Sequence, residues 1–143
     1  MKLFAALFLI STFSFACPNL SGLYICDDLG NQEETTVSQQ RSGNGVVTFR
    51  IRTASGDEQV ITADGVTRSM PDDDDFADIK IKASCETNKL RVELTGKFVP
   101  YGDAPVLILS EMSLNQDNNL VTESSGQIGD TAMPPSVEVC LRK

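Results

Sequence analysis

Apolar and polar residues alternate along this chain with a period of two, in one stretch after another. In residues 45–52 one face carries Val47, Phe49 and Ile51, and the other Val46, Thr48, Arg50 and Arg52. Residues 77–85 set Ile79, Ile81, Ala83 and Cys85 against Lys80, Lys82 and Ser84. Residues 89–97 set Leu90, Val92 and Leu94 against Arg91, Glu93 and Thr95. Near the C-terminus Val137, Val139 and Leu141 alternate with Glu138, Cys140 and Arg142. Successive side chains of a strand point to opposite faces, so this pattern predicts half-buried strands of an antiparallel sheet. Fainter strands are expected at 20–26, 35–40, 57–63, 66–70, 106–114 and 120–124. The apolar run 106–109 could equally begin a short helix, but alternation through Glu111, Met112, Ser113 and Leu114 favours a strand.

Turn-forming residues separate these runs: Asn44-Gly45, Ala63-Asp64-Gly65, Glu86-Thr87-Asn88, Gly102-Asp103 and the stretch 115–119. The turn at 86–88 predicts a hairpin between strands 78–85 and 89–98. Residues spaced for an amphipathic helix of ten or more positions are not found, nor is an internal repeat. With 41% hydrophobic residues there is enough apolar material for a core. The expected fold is all-β: a single antiparallel meander barrel of about eight to ten short strands, with a β-sandwich as the alternative.

The N-terminus has the layout of a secretory signal peptide: Lys2, an apolar run from Leu3 to Ile10, then Ser14-Phe15-Ala16 before Cys17. That run is too short for a membrane anchor, which needs roughly 20 apolar residues. Residues 1–16 are therefore expected to be a signal peptide and 17–143 a single all-β domain, exported to the periplasm, outer envelope or medium. All four cysteines (Cys17, Cys26, Cys85 and Cys140) lie beyond the leader and predict two disulfides, with three connectivities open. Lipidation of Cys17 is the competing reading; Ser14 and Phe15 depart from its pattern, and it would leave three cysteines. A four-cysteine metal site lacks the C-x-x-C pair that such sites use.

Leu20-Ser21-Gly22-Leu23-Tyr24, followed by Asp28-Leu29-Gly30, resembles the first strand of calycin barrels, the lipocalins, avidins and their relatives. In that family a Gly-x-Trp step plugs the closed end; here Tyr24 stands in the place of the Trp. The opening is also similar to short exported bacterial proteins that begin Cys-Pro-x-Leu-Ser-Gly-x-Tyr-x-Cys. The calycin resemblance implies an eight-stranded barrel with room for packed side chains or one small ligand. First and last strands are neighbours in such a meander, which favours a bridge from Cys17 or Cys26 to Cys140, with Cys85 taking the other. Val47, Phe49, Ile79, Ile81, Leu90 and Val92 would line the interior, either around a cavity or filling it.

The chain contains no histidine, which excludes Ser-His-Asp and Cys-His nucleophiles and any imidazole metal ligand. Its net charge of −8 argues against nucleic acid or an anionic membrane as partner. Asp72, Asp73, Asp74, Asp75 and Asp78 could supply oxygen ligands to calcium. The EF-hand pattern fails, however, with Ala77 and Ala83 where Gly and Glu belong, so a solvated acidic loop is favoured. Glu93, Glu111 and Glu138 are candidates for paired-carboxylate hydrolysis, and Asn19-Leu20-Ser21 is a formal glycosylation triplet. The expected function is an exported binding or interaction protein without catalysis or cofactor, taking a small apolar ligand or a protein partner. A structural or inhibitor-like domain with a filled core is the alternative, and a carboxylate-dependent hydrolase a distant third.

Overall fold

The computed structural model describes residues 16–28 and 30–143, so all of the expected leader but Ala16 lies outside the described residues. Ten strands run through them: β1 (Gly22–Asp28), β2 (Asn31–Arg41), β3 (Val47–Thr53), β4 (Glu58–Ala63), β5 (Arg68–Ser69), β6 (Phe76–Glu86), β7 (Lys89–Phe98), β8 (Ala104–Leu114), β9 (Leu120–Ile128) and β10 (Thr131–Arg142). All belong to one antiparallel sheet in the order β4-β3-β2-β1-β10-β9-β8-β7-β6-β5. Each strand thus pairs with its neighbour in sequence and the last pairs with the first, as a meander requires. The step from β4 to β5 alone carries no ladder, and the sheet curls into a half-barrel with its open seam there. A single curled sheet sets the sandwich alternative aside.

The seam has a local cause. The run expected at 66–70 shrinks to Arg68–Ser69 between Gly65, at φ 72°, and Pro71, which has no N–H for a ladder. Arg68 turns instead to its near neighbour Asp64, and Gly65 N–H reaches across to Ala83 O at 2.8 Å. The hairpin after β6 is tight: Glu86 pairs with Lys89, and Thr87 and Asn88 take φ of 50° and 61°. Positive φ at both central positions is the type I′ arrangement whose twist matches that of the flanking strands.

Two bulges fix which face of each strand looks inward. In β6 the register jumps between Ala77 and Lys80, with Asp78 at φ 53°. Gly96 lies against this step, where a Cβ would come 3.1 Å from Ala77 O. In β10 the jump lies between Met133, opposite Gly126, and Ser136, opposite Ser124. Gly126 and Ser124 share the inward phase of β9 with Leu120, so Pro134-Pro135 inserts one extra residue and shifts the alternation of everything after it. Cys140 consequently turns inward and is 2% exposed, while Val137 (65%), Val139 (44%) and Leu141 (56%) turn outward. The sequence pattern alone would bury these three; the bulge reverses β10.

The core gathers the inward residues of both arms of the sheet. Tyr24, Phe49 and Leu90 are 0% exposed and Leu20 and Val47 1%. Gly22 makes room for the Tyr24 ring, which a Cβ there would meet at 3.0 Å, and the Tyr24 hydroxyl donates to Leu20 O at 2.8 Å. Arg142 lies over the Tyr24 ring, 5.8 Å from its centroid. Burial of this kind contributes roughly 1.5–3 kcal/mol per large apolar side chain.

Cys17 bonds to Cys85 and Cys26 to Cys140, one of the two pairings expected for a meander. The β1–β10 ladder consists of Tyr24↔Arg142 and Ile25↔Leu141, reinforced by Lys143 N–H donating to Leu23 O. Cys26–Cys140 continues that short ladder by one covalent rung. The Cys17–Cys85 bridge uses the sulfur that lipidation would need. Among the described residues no helix is long and apolar enough to cross a membrane.

Candidate functional site

Beside the Cys26–Cys140 rung the concave face of the sheet opens into a mouth of about 300 Å³. Its floor is apolar: Ile51 from β3, Met112 from β8, Leu120 from β9 and the disulfide itself. Around that floor stand Glu33, Thr35, Thr53, Gln59, Thr122 and Glu138. Each occupies the inward phase of its strand. Glu33 and Thr35 continue the line of Val37 on β2, Thr53 that of Phe49 and Ile51 on β3, and Thr122 that of Leu120 on β9. Glu138 shares the phase of Cys140, which it owes to the β10 bulge.

The two mouth carboxylates differ in their support. Ser55 N–H donates to Glu33 Oε1 at 3.1 Å, and the Ser55 hydroxyl is itself 2.7 Å from that of Thr53. Hydrogen bonding from the Ser55 side chain and backbone, with a lesser contribution from Thr53, holds the Glu33 carboxyl below its ordinary value against the opposing effect of desolvation. Glu138 has a carboxylate oxygen within 4.8 Å of both sulfurs of the Cys26–Cys140 bridge. Neither Lys nor Arg lines the mouth. On the convex face, by contrast, cations answer the carboxylates: Arg52 and Arg50 meet Glu58, Lys89 lies 3.1 Å from Glu111 and 3.0 Å from Glu123, and Lys143 meets Glu34.

Cys26, Glu138 and Cys140 bring metal-type donor atoms within 4.8 Å of one another, but both sulfurs are spent in the disulfide, so no thiolate is available to a metal. The acidic loop forms no such cluster among the described residues. Its carboxylates serve the backbone instead. Asp73 Oδ1 accepts from Asp75 N–H at 2.9 Å and Phe76 N–H at 2.7 Å, and Asp72 Oδ1 accepts from Asp78 N–H at 2.9 Å. Asp78 pairs with Lys97, at the β6 bulge, at 2.5 Å. Asp74 lies exposed on the same loop. The carboxylates of Asp72, Asp73 and Asp78 therefore shape the entry to β6.

The residues expected to line an interior are packed into it. Val47, Phe49 and Leu90 are sealed, and Ile79 and Val92 are each 8% exposed. Ile81 borders a hollow of about 40 Å³ at the seam between β4 and β6. Of the three glutamates, Glu93 and Glu111 stand on the convex face and Glu138 on the concave one, so they do not converge. Asn19 is exposed, and its side-chain oxygen accepts from Ser21 N–H at 3.3 Å. The mouth residues Glu33, Thr35, Thr53, Gln59 and Thr122 are new relative to the sequence reading. Their signal is present there, as polar residues in line with buried apolar ones, but it carries weight only once the strands are known to face each other. Comparison of the chain with models of protein families, with curated proteins and with solved structures finds no match.

Proposed function

We propose that this protein is an exported, non-catalytic binding module that takes a small ligand into the concave mouth of its half-barrel. The observation that carries the reading is the combination of a sealed core with a neighbouring concavity in which six polar side chains surround an apolar floor. Ligand sites have this composition, apolar area for affinity and a few placed polar groups for orientation. Export is supported by the leader pattern at residues 1–16 and by two disulfides, which persist in oxidising compartments. The meander order with first and last strands paired supports the calycin resemblance, while the open seam and the missing Trp set this chain apart from the family's usual form.

The test is a titration of the ¹⁵N-labelled, disulfide-intact mature protein with 1-hexanol as a neutral probe. Amide shifts are expected at Thr35, Thr53 and Thr122; shifts confined to other surfaces would overturn the reading.

One observation supports a second reading, a domain with a filled core acting through its surface. Val137, Val139 and Leu141 form an outward apolar stripe on β10, and Ile25 stands opposite Leu141 and Val121 opposite Val139. Concentration-dependent association of the mature protein, abolished by Val137→Lys, would favour that reading over the mouth.

A further inference from the structure

We infer that the mouth selects organic cations, molecules joining an ammonium or guanidinium group to an apolar body. The inference rests on the proposal that the mouth binds a ligand, and adds the charge of what it takes. Glu33 and Glu138 are the two ionisable side chains lining it, and both are acids. Among the described residues neither is within ion-pair distance of a cation, although Arg50, Arg52, Arg68, Lys89, Arg91, Lys97 and Lys143 all pair with carboxylates elsewhere. Glu33 is held ionised by Ser55 and Thr53, so its charge does not lapse at mildly acidic pH.

A concave, partly apolar surface strengthens such a field, because low-dielectric walls screen charges less than open water does. An anionic ligand would meet two unneutralised carboxylates and a chain of net charge −8. A neutral apolar ligand would contact Ile51, Met112 and Leu120 but leave the rim charges unanswered. An organic cation answers both, its apolar body on the floor and its charge toward Glu138, which makes no hydrogen bond within the described residues.

The experiment compares three probes of equal length, hexylammonium, 1-hexanol and hexanoate, by amide shifts and calorimetry on the mature, disulfide-intact protein. Hexylammonium is expected to bind at least about tenfold tighter than hexanol and hexanoate weakest, with the cation's advantage shrinking in high salt. Glu138→Gln should remove most of that advantage, whereas Glu93→Gln, on the convex face, should leave it unchanged. Equal binding of hexanol and hexylammonium at the mouth would overturn the inference and leave the binding reading standing. Failure of all three probes to shift the mouth amides would sink both. Undiminished cation preference in Glu138→Gln with a native spectrum would also overturn the assignment to this site.

Discussion

Strands β3 and β10 carry the same sequence pattern and opposite fates. In β3 the apolar set is buried, with Val47 at 1% and Phe49 at 0% exposure, and Arg50 and Arg52 point outward to Glu58. In β10 the apolar set Val137, Val139 and Leu141 is the exposed one, and Cys140 and Glu138 look inward. The strands differ in one inserted residue. β3 pairs with β2 and β4 in unbroken register, whereas β10 passes the Pro134-Pro135 bulge before it reaches Cys26 and Tyr24. A one-residue shift moves every later side chain to the other face. Alternation therefore reports that two faces differ, and the inward one is chosen by register, here anchored by the disulfide and by Arg142 over Tyr24.

The contrast yields a graded set of expectations. Phe49→Ala should cost about 3–5 kcal/mol through lost burial and the cavity left behind, read from urea unfolding; a cost below 1 kcal/mol would mean that β3 is not the sealed strand described. Replacing Cys26 and Cys140 together by serine should cost on the order of 2–5 kcal/mol. Deleting Pro135 should reach a similar loss by another route, because Cys140 would then turn away from Cys26. Alkylation and intact mass would count two free thiols in that deletion, and their absence would refute the role given to the bulge.

Ion pairs on the outer surface should matter less, and with a defined sign. Glu58 is held below its ordinary value of 4.5 chiefly by the hydrogen bond from Arg52, and Asp64 well below its ordinary 3.8 by Arg68. A depressed carboxyl pKa stabilises the fold above the ordinary value and loses that contribution as pH falls through the folded one. The urea midpoint should thus decline below a pH of about 4.5, less steeply in Asp64→Asn. A pH-independent midpoint in that range would remove these pairs from the account. The smallest effect is expected on β10 itself: Val137→Ala should stay within about 0.5 kcal/mol, and a larger cost would show that the stripe is covered in solution.

Much of the architecture was legible before any coordinates. The ten strand regions and the hairpin turn at 86–88 follow from alternation and turn chemistry, which act over neighbouring residues, whereas the pairing of first strand with last is implied only by the calycin resemblance. The strand at 66–70 was overestimated because its ends, Gly65 and Pro71, limit it to Arg68–Ser69. The acidic loop was legible as polar but not as a backbone clamp, since Asp72 reaches Asp78 only when the chain has turned. The mouth was not legible, because Glu33 and Glu138 are separated by most of the chain and meet only through the first-to-last strand pairing.

Residue type and local spacing suffice for an all-β chain, its strands and turns, cysteines enough for two disulfides and an acidic surface. Tertiary structure decided where the curl stops, which cysteines pair and which face of β10 looks inward. Those outcomes depend on register between distant strands, and a single residue at Pro134-Pro135 shifts it. The same shift turns Glu138 into the mouth and leaves Val137 to the solvent.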